Sequence, residues 1–142
     1  MTTINPYLNF NGNCEEAFNF YASVLGSEPP MFMRFKDMHS EDGLDNISEG
    51  EKIMHVALPL DNGSVLMGSD TIEAMGSVEF GDNFSLSLQV DSQTDADRFY
   101  AGLSAGGQAT MPMAQAPWGD YFGMLTDQFG IQWMINHAQN QG

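Results

Sequence analysis

One stretch near the end of the chain constrains the fold more than any other. Residues 118–136, WGDYFGMLTDQFGIQWMIN, predict a first strand around Tyr121–Leu125 and a second strand over Ile131–Asn136. Between them, Asp127 can bond its own backbone and Gly130 tolerates a positive φ, which is typical of a tight turn. A small domain that ends in large apolar side chains is completing a sheet, and these side chains also suit the wall of a cavity.

The first half of the chain predicts a strand, a helix and three further strands. Apolar side chains at helical spacing predict a helix over Cys14–Leu25, with Asn13 as its N-cap and Gly26 just after its end. Residues 37–51 are polar and acidic without periodicity, which indicates a long loop. The predicted strands are Ile4–Phe10, Glu28–Phe35, Lys52–Leu60 and Ser64–Gly68, the last two joined by a turn at Asp61–Gly63.

The second half repeats this order of elements. Clean alternation predicts a strand over Phe84–Val90, residues 91–94 cap a helix over Asp95–Ser104, and Gly106–Gly107 ends it. A strand over Gln108–Met113 and the terminal hairpin follow. Both helices carry Phe-Tyr-Ala, 79 residues apart. We therefore predict one domain with an internal repeat: modules over 4–68 and 83–137, joined by a connector over 69–82.

Composition excludes several classes of function. With 19 acidic and 4 basic residues the formal net charge is −15, which disfavours nucleic acids, anionic membranes and anionic substrates. The single cysteine, Cys14, cannot form an intrachain disulfide and fits a reducing cytoplasm. The N-terminal residues do not resemble a signal peptide, and no apolar run approaches the roughly 20 residues of a membrane helix.

Short motifs at both ends of the chain carry a resemblance to a known family. The sequence is similar to the PhnB-like branch of the vicinal oxygen chelate superfamily, which includes glyoxalase, bleomycin resistance and dioxygenase proteins. Members are often labelled 3-demethylubiquinone-9 3-methyltransferase domain. The resemblance covers nearly the whole chain apart from residues 37–51. The matching residues are Asn5–Phe10, Gly12, Ala17, Phe20-Tyr21, Leu25-Gly26, Trp118-Gly119, Phe122-Gly123, Thr126-Asp127, Phe129-Gly130 and Trp133–Asn136.

This resemblance implies an α+β fold of two β-α-β-β-β modules whose curved mixed sheets form a shared cavity. It also implies a homodimer, in which modules are often exchanged between chains. It does not imply a reaction. A methyltransferase commonly binds S-adenosylmethionine at a glycine-rich turn after a first parallel strand. Gly12 stands alone after the first strand and Gly106–Gly107 follows a helix, so no cofactor is predicted.

The positions that hold metal in relatives also differ here. Metal-dependent members of the superfamily place His, Glu or Gln ligands on the first and last strand of each module. The inward positions of those strands offer no imidazole or carboxylate, and Gln89 is placed too far along its strand, so no metal is predicted. The residues expected at these positions are Pro6 or Tyr7, Met67, Ser85 or Ser87, and Met134.

The nucleophilic and basic side chains favour structural roles. His39 falls in the acidic loop and His137 at the chain end, whereas His55 lies within a strand. A hydrogen-bonded strand histidine is a better interpretation of His55 than a catalytic base. Cys14 begins a helix, where the dipole lowers a thiol pKa, but no histidine adjoins it in sequence. The sequence leaves open whether the chain is an enzyme, and no catalytic residue is assigned.

The expected function is therefore binding of a small, partly apolar ligand in an inter-module cavity, without the usual metal site. Asp70 and Asp120 could supply a polar rim to that cavity. One alternative is a metal-dependent lyase or dioxygenase of the same superfamily, and another is a protein that sequesters a toxic compound. The candidate ligand-binding residues are His55, Met67, Ser85, Ser87, Trp118, Tyr121, Phe122, Trp133 and Met134.

Overall fold

Two units of similar architecture make up the chain. The computed structural model describes residues 2–37, 49–60 and 63–138. The two compact units are Met1–Glu79 and Phe80–Gly142. Most of the predicted loop over 37–51, and Asp61 and Asn62 of the predicted turn, lie outside the described residues.

Each unit contains the element order β-α-β-β-β, which confirms the predicted α+β fold. The sheets have matching orders, β1-β4-β3-β2 and β5-β8-β7-β6. In each, the first strand pairs in parallel with the last and the other pairs are antiparallel. The elements of the first unit are β1 (Tyr7–Phe10), α1 (Cys14–Leu25), β2 (Met31–Arg34), β3 (Ile53–Pro59) and β4 (Val65–Asp70). Those of the second are β5 (Leu86–Gln89), α2 (Gln93–Ser104), β6 (Gln108–Gln115), β7 (Tyr121–Thr126) and β8 (Gln132–His137).

The bounds of α1 are as predicted, but its N-terminal cap is not. The side chain of Asn13 makes no capping hydrogen bond. Instead Asp70, brought by β4, accepts the backbone N–H groups of Gly12 at 3.0 Å and Cys14 at 2.9 Å through Oδ1. Its Oδ2 accepts the N–H of Ile53 at 2.9 Å. Asp70 therefore links β4 to the start of α1 and to β3. Because it is only 3% exposed, it does not form a polar rim.

The second helix begins two residues earlier than predicted, at Gln93. The Oγ of Ser92 accepts the N–H of Asp95 at 3.0 Å, so the N-cap lies one residue before the helix. Short 3₁₀ helices also occur at Phe35–Asp37 and Glu73–Met75. Within the described ranges no helix is long and apolar enough to cross a membrane.

One face of the first sheet packs against α1. A Cβ at Gly68 would lie 2.7 Å from Cε1 of Phe18, so only glycine allows the helix this close to β4. Leu66 and Asp70, which share that face by alternation, are buried. The alternate residues form what we call the open face of the first sheet: Tyr7, Asn9, Met31, Met33, His55, Ala57, Met67 and Ser69.

The second sheet is organised in the same way around α2 and the terminal hairpin. In the turn, Oδ1 of Asp127 accepts the N–H groups of Phe129 at 2.8 Å and Ile131 at 3.1 Å, and Gly130 has φ of 92°. The predicted turn chemistry is therefore confirmed. The hydroxyl of Tyr121 donates to Asp97 of α2 at 2.6 Å, which identifies the helix side of the sheet. The open face of the second sheet carries Ser87, Gln89, Met111, Phe122, Met124, Met134 and Asn136.

Candidate functional site

A chain of polar side chains crosses the open face of the second sheet. Gln89 of β5 lies opposite Asn136 of β8, and Nδ2 of Asn136 donates to Oε1 of Gln89 at 3.0 Å. The same Nδ2 donates to Oδ2 of Asp120 at 3.1 Å, and Nε2 of Gln89 donates to Ser87 Oγ at 3.1 Å. Both of these hydrogen bonds are donated by the amide N–H groups of Asn136. They fix the orientation of the amide, whose carbonyl oxygen can act only as an acceptor.

Apolar side chains adjoin this polar chain. Phe122 lies directly opposite Asn136, and Met134 lies opposite Ser87. The ring of Trp118, which is 61% exposed, contacts Phe122 edge-on with centroids 5.4 Å apart. The face therefore combines fixed amide and carboxylate groups with an accessible indole, an arrangement suited to a ligand with both polar and apolar parts.

On the first sheet, the open face carries a tyrosine–histidine pair. The Tyr7 hydroxyl and Nδ1 of His55 are 3.3 Å apart, and the ring centroids are 5.7 Å apart. His55 is thus a hydrogen-bonded strand histidine, as the sequence favoured. Met67 lies opposite Tyr7, and Met33 lies opposite His55.

The structure brings together some of the candidate ligand-binding residues and separates others. Ser87, Phe122 and Met134 share the open face of the second sheet, with Trp118 against Phe122. His55 and Met67 share the open face of the first sheet. The remaining three lie elsewhere: Ser85 precedes β5, Tyr121 bonds Asp97 on the helix side, and Trp133 is 3% exposed in the core.

Trp133 is held in that core by its indole N–H. Its Nε1 donates to Oδ2 of Asp127 at 2.9 Å, so the same carboxylate serves both the turn and the indole. Because Trp133 alternates with Met134 along β8, the methionine and not the tryptophan lies on the open face. Trp133 therefore supports the sheet from the opposite side.

Sequence reasoning missed a pair of polar side chains on each open face. Gln89 lies on the open face, opposite Asn136, and both amides take part in the polar chain. Asn9 and Ser69 occupy the corresponding place on the first sheet, with Ser69 Oγ 3.5 Å from Asn9 Oδ1. The signal was present, since Gln89 alternates in phase with Ser87, and Asn136 with Met134.

The donor set on these strands does not suit a divalent metal ion. Imidazole and carboxylate groups are the usual ligands of zinc, nickel, iron and manganese. In the part of the chain that the structure describes, no three His, Cys, Asp or Glu side chains come together as a metal-holding group. The open-face residues on the first and last strands of the modules are Tyr7, Asn9, Met67 and Ser69, and Ser87, Gln89, Met134 and Asn136.

Cys14 is likewise unsuited to nucleophilic chemistry. Its side chain is fully buried at the start of α1. Burial raises the pKa of the thiol well above its ordinary value, and the nearby carboxylates of Asp70 and Glu15 raise it further. The thiol therefore stays protonated and inaccessible, in keeping with the inert role expected from sequence.

Paired β-α-β-β-β modules with open mixed sheets define the glyoxalase/bleomycin resistance fold. Solved structures described as glyoxalase/bleomycin resistance proteins share it with this chain at TM-scores of 0.58 to 0.67 and identities of 15 to 17%, a likeness of fold alone. The family model for 3-demethylubiquinone-9 3-methyltransferase matches residues 2–136. The chain belongs to this PhnB-like family.

Three relatives support the assignment. The chain is 31% identical to protein YjdN of Escherichia coli (strain K12) over 144 residues, covering 97% of each chain. The crystal structure of protein PA1353 from Pseudomonas aeruginosa has a TM-score of 0.85 and 38% identity, covering 99% of this chain and 100% of that one. The putative 3-demethylubiquinone-9 3-methyltransferase, PhnB protein, from Bacillus cereus has a TM-score of 0.72 and 27% identity, with coverage of 96% and 100%.

Proposed function

We propose that this protein binds a small, partly apolar and uncharged ligand on the open face of the second sheet, without the usual divalent metal. The observation that carries the proposal is the Gln89–Asn136–Asp120 chain beside Phe122 and Trp118. Side chains that are fixed by one another present their remaining polar atoms in set directions, which reduces the entropy lost on binding.

The chemistry of this face indicates the kind of ligand. The carbonyl of Asn136 and the carboxylate of Asp120 accept hydrogen bonds, so the ligand needs an N–H or O–H donor. The indole of Trp118 and the thioether of Met134 favour an aromatic or aliphatic body. The net charge of −15 disfavours anions at long range. Aromatic amides and phenols satisfy all three conditions.

We infer that methyl transfer from S-adenosylmethionine is not the activity of this chain, despite the family description. In methyltransferases the cofactor commonly lies at a glycine-rich turn between a first strand and its helix. Here that turn holds Gly12 alone, and the N–H groups of Gly12 and Cys14 already donate to the buried carboxylate of Asp70. The positive end of α1 is thus occupied by an internal anion.

Calorimetric titration with an uncharged aromatic amide such as N-methylbenzamide, and with phenol, tests ligand binding. We expect saturable binding, and we expect Asn136→Leu to weaken it about tenfold because one hydrogen bond of roughly 1.4 kcal/mol is lost. Asn19 is an exposed asparagine of α1, so Asn19→Leu is the matched control and should leave the affinity unchanged. Absence of binding, or equal losses in the two variants, would contradict the proposal.

Metal analysis tests the second half of the proposal. Thioether, hydroxyl and neutral amide groups hold zinc, nickel or iron poorly. The purified protein should therefore contain none of these ions in stoichiometric amount, and EDTA should leave its melting temperature unchanged. A melting temperature that collapses on chelation would instead favour the metal-dependent lyase or dioxygenase.

We also propose that the protein is a cytoplasmic homodimer. The support for assembly is that large apolar side chains stand exposed in the single chain: Ile4 is 94%, Phe84 58% and Phe80 43% exposed. The support for the compartment is the lone cysteine. Sedimentation at micromolar concentration should give twice the chain mass of 15.6 kDa, and a compact monomer would refute the dimer.

A further inference from the structure

The open face of the first sheet gathers methionines around a histidine. Met33 of β2 lies directly opposite His55 of β3. Ala57, two residues further along β3, lies opposite Met31 on one side and Met67 on the other. Both of these methionines are therefore diagonal neighbours of His55. Three thioether side chains thus flank one imidazole on a single face of three adjacent strands.

Sheet geometry places these side chains within reach of a common ion. Directly opposite residues have Cβ atoms about 5 Å apart, and diagonal neighbours are about 7–8 Å apart. A methionine sulfur lies two bonds beyond Cβ on a flexible side chain, so both distances can be bridged through one ion. Met31 is 82% exposed and Met33 is 48% exposed, so the face is open to solvent in the single chain.

The hydrogen bond of His55 leaves its other ring nitrogen available. Nδ1 lies 3.3 Å from the Tyr7 hydroxyl. When Nδ1 carries the proton and donates to that oxygen, Nε2 keeps its lone pair for a metal. An outer hydrogen bond of this type fixes the tautomer and ring orientation of ligating histidines in metal sites.

We propose that His55, Met33 and Met67 form a site for a soft monovalent cation, Cu(I) or Ag(I), with Met31 as an adjacent fourth ligand. Thioether and imidazole groups are neutral and polarizable, which selects Cu(I) and its analogue Ag(I) and disfavours hard divalent ions. The net charge of −15 attracts cations to the surface. This site lies in the first unit and does not depend on the ligand proposed for the second sheet.

Competition titration measures the affinity. The full-length protein is titrated anaerobically with Cu(I), kept reduced by ascorbate, in the presence of the chromophoric chelator bicinchoninate. We expect one Cu(I) per chain to be withdrawn from the chelator. Met33→Leu and Met67→Leu should each weaken binding at least about tenfold, the loss typical of a damaged metal site. Met75→Leu is the matched control, since Met75 is 62% exposed in the same unit and belongs to a 3₁₀ helix rather than to a strand of this sheet.

Two further measurements test whether the methionines of this face bind the ion. With Ag(I), which undergoes no redox change, the ε-methyl NMR signals of Met33 and Met67 should shift while that of Met75 does not, and Zn²⁺ should move none of them. Circular dichroism checks that the leucine variants remain folded. Failure to compete with the chelator, or an equal effect of Met75→Leu, would overturn the proposal, as would unchanged binding in both Met33→Leu and Met67→Leu.

Discussion

Removing the carboxylate of Asp70 should destabilise the first unit far more than removing the local side chain that precedes α1. Asp70 accepts three backbone N–H groups, those of Gly12, Cys14 and Ile53, and it is 3% exposed. Asn13 is exposed and its side chain makes no capping bond. The two substitutions Asp70→Ala and Asn13→Ala therefore separate a tertiary cap from the local one that the sequence indicates.

The magnitude follows from the number of donors left behind. The bonds to Cys14 and Ile53 are wholly buried, and each buried donor that loses its acceptor costs about 1–3 kcal/mol, or about 2–6 kcal/mol together. Removing the carboxylate also removes its own desolvation penalty, which offsets part of this loss. We expect Asp70→Ala to lower the free energy of unfolding by about 2–4 kcal/mol, against less than about 0.5 kcal/mol for Asn13→Ala.

Urea unfolding followed by far-ultraviolet circular dichroism is the assay, because both tryptophans lie in the second unit, whereas the circular dichroism signal also records the helix and strands of the first. Asp70→Asn keeps one acceptor oxygen and should fall between the two alanine variants. A loss of less than about 1 kcal/mol for Asp70→Ala, or equal losses at both positions, would refute the tertiary cap.

Three further predictions concern individual ionisable groups. The Cys14 thiol, whose pKa is raised by burial, should react with Ellman's reagent only after urea unfolding, and a fast native reaction would contradict its burial. The hydrogen bond from Arg34 lowers the pKa of Glu15 below its ordinary 4.5. This ion pair is largely exposed, so it should stabilise the folded protein by less than about 1 kcal/mol. That stabilisation is present above pH 4.5 and is lost as the pH falls below it. Comparing the free energy of unfolding of Glu15→Gln with that of the wild type as a function of pH measures this contribution. A difference in stability that persists in acid would contradict it. The hydrogen bond to Asp97 raises the pKa of Tyr121 above its ordinary 10.0, so the stability that this bond provides is present below pH 10 and should decline above it. Spectrophotometric titration should show that Tyr121→Phe loses one late-ionising phenol, and an unchanged curve would count against the bond.

Local chemistry was sufficient to predict much of the fold. Helix α1 follows from apolar residues at helical spacing and from Gly26, and the terminal hairpin follows from Asp127 and Gly130. The repeat of element order predicted two modules of one architecture. The helix and hairpin signals lie within a few residues of the element they specify, and the repeat is the same series of local patterns found twice, which is why sequence alone reveals them.

Long-range contacts explain what the sequence did not reveal. The cap of α1 comes from Asp70, which is distant in sequence, and so the adjacent Asn13 was a misleading local signal. Trp133 and Met134 are neighbouring apolar residues that point to opposite faces of the second sheet. Periodicity separates the two faces but does not say which one the helix will cover. Only the packing of α2 places Trp133 in the core.

Methionine ε-methyl NMR tests the central claim most directly, because methionines mark the open face of each sheet. The labelled protein, kept in EDTA, is titrated with N-methylbenzamide and with phenol. Binding on the second sheet predicts saturable shifts at Met111, Met124 and Met134, with those of Met31 and Met33 unchanged. If these shifts are absent in EDTA and appear only when zinc, nickel or iron is supplied, the result contradicts a metal-independent site on the open face of the second sheet.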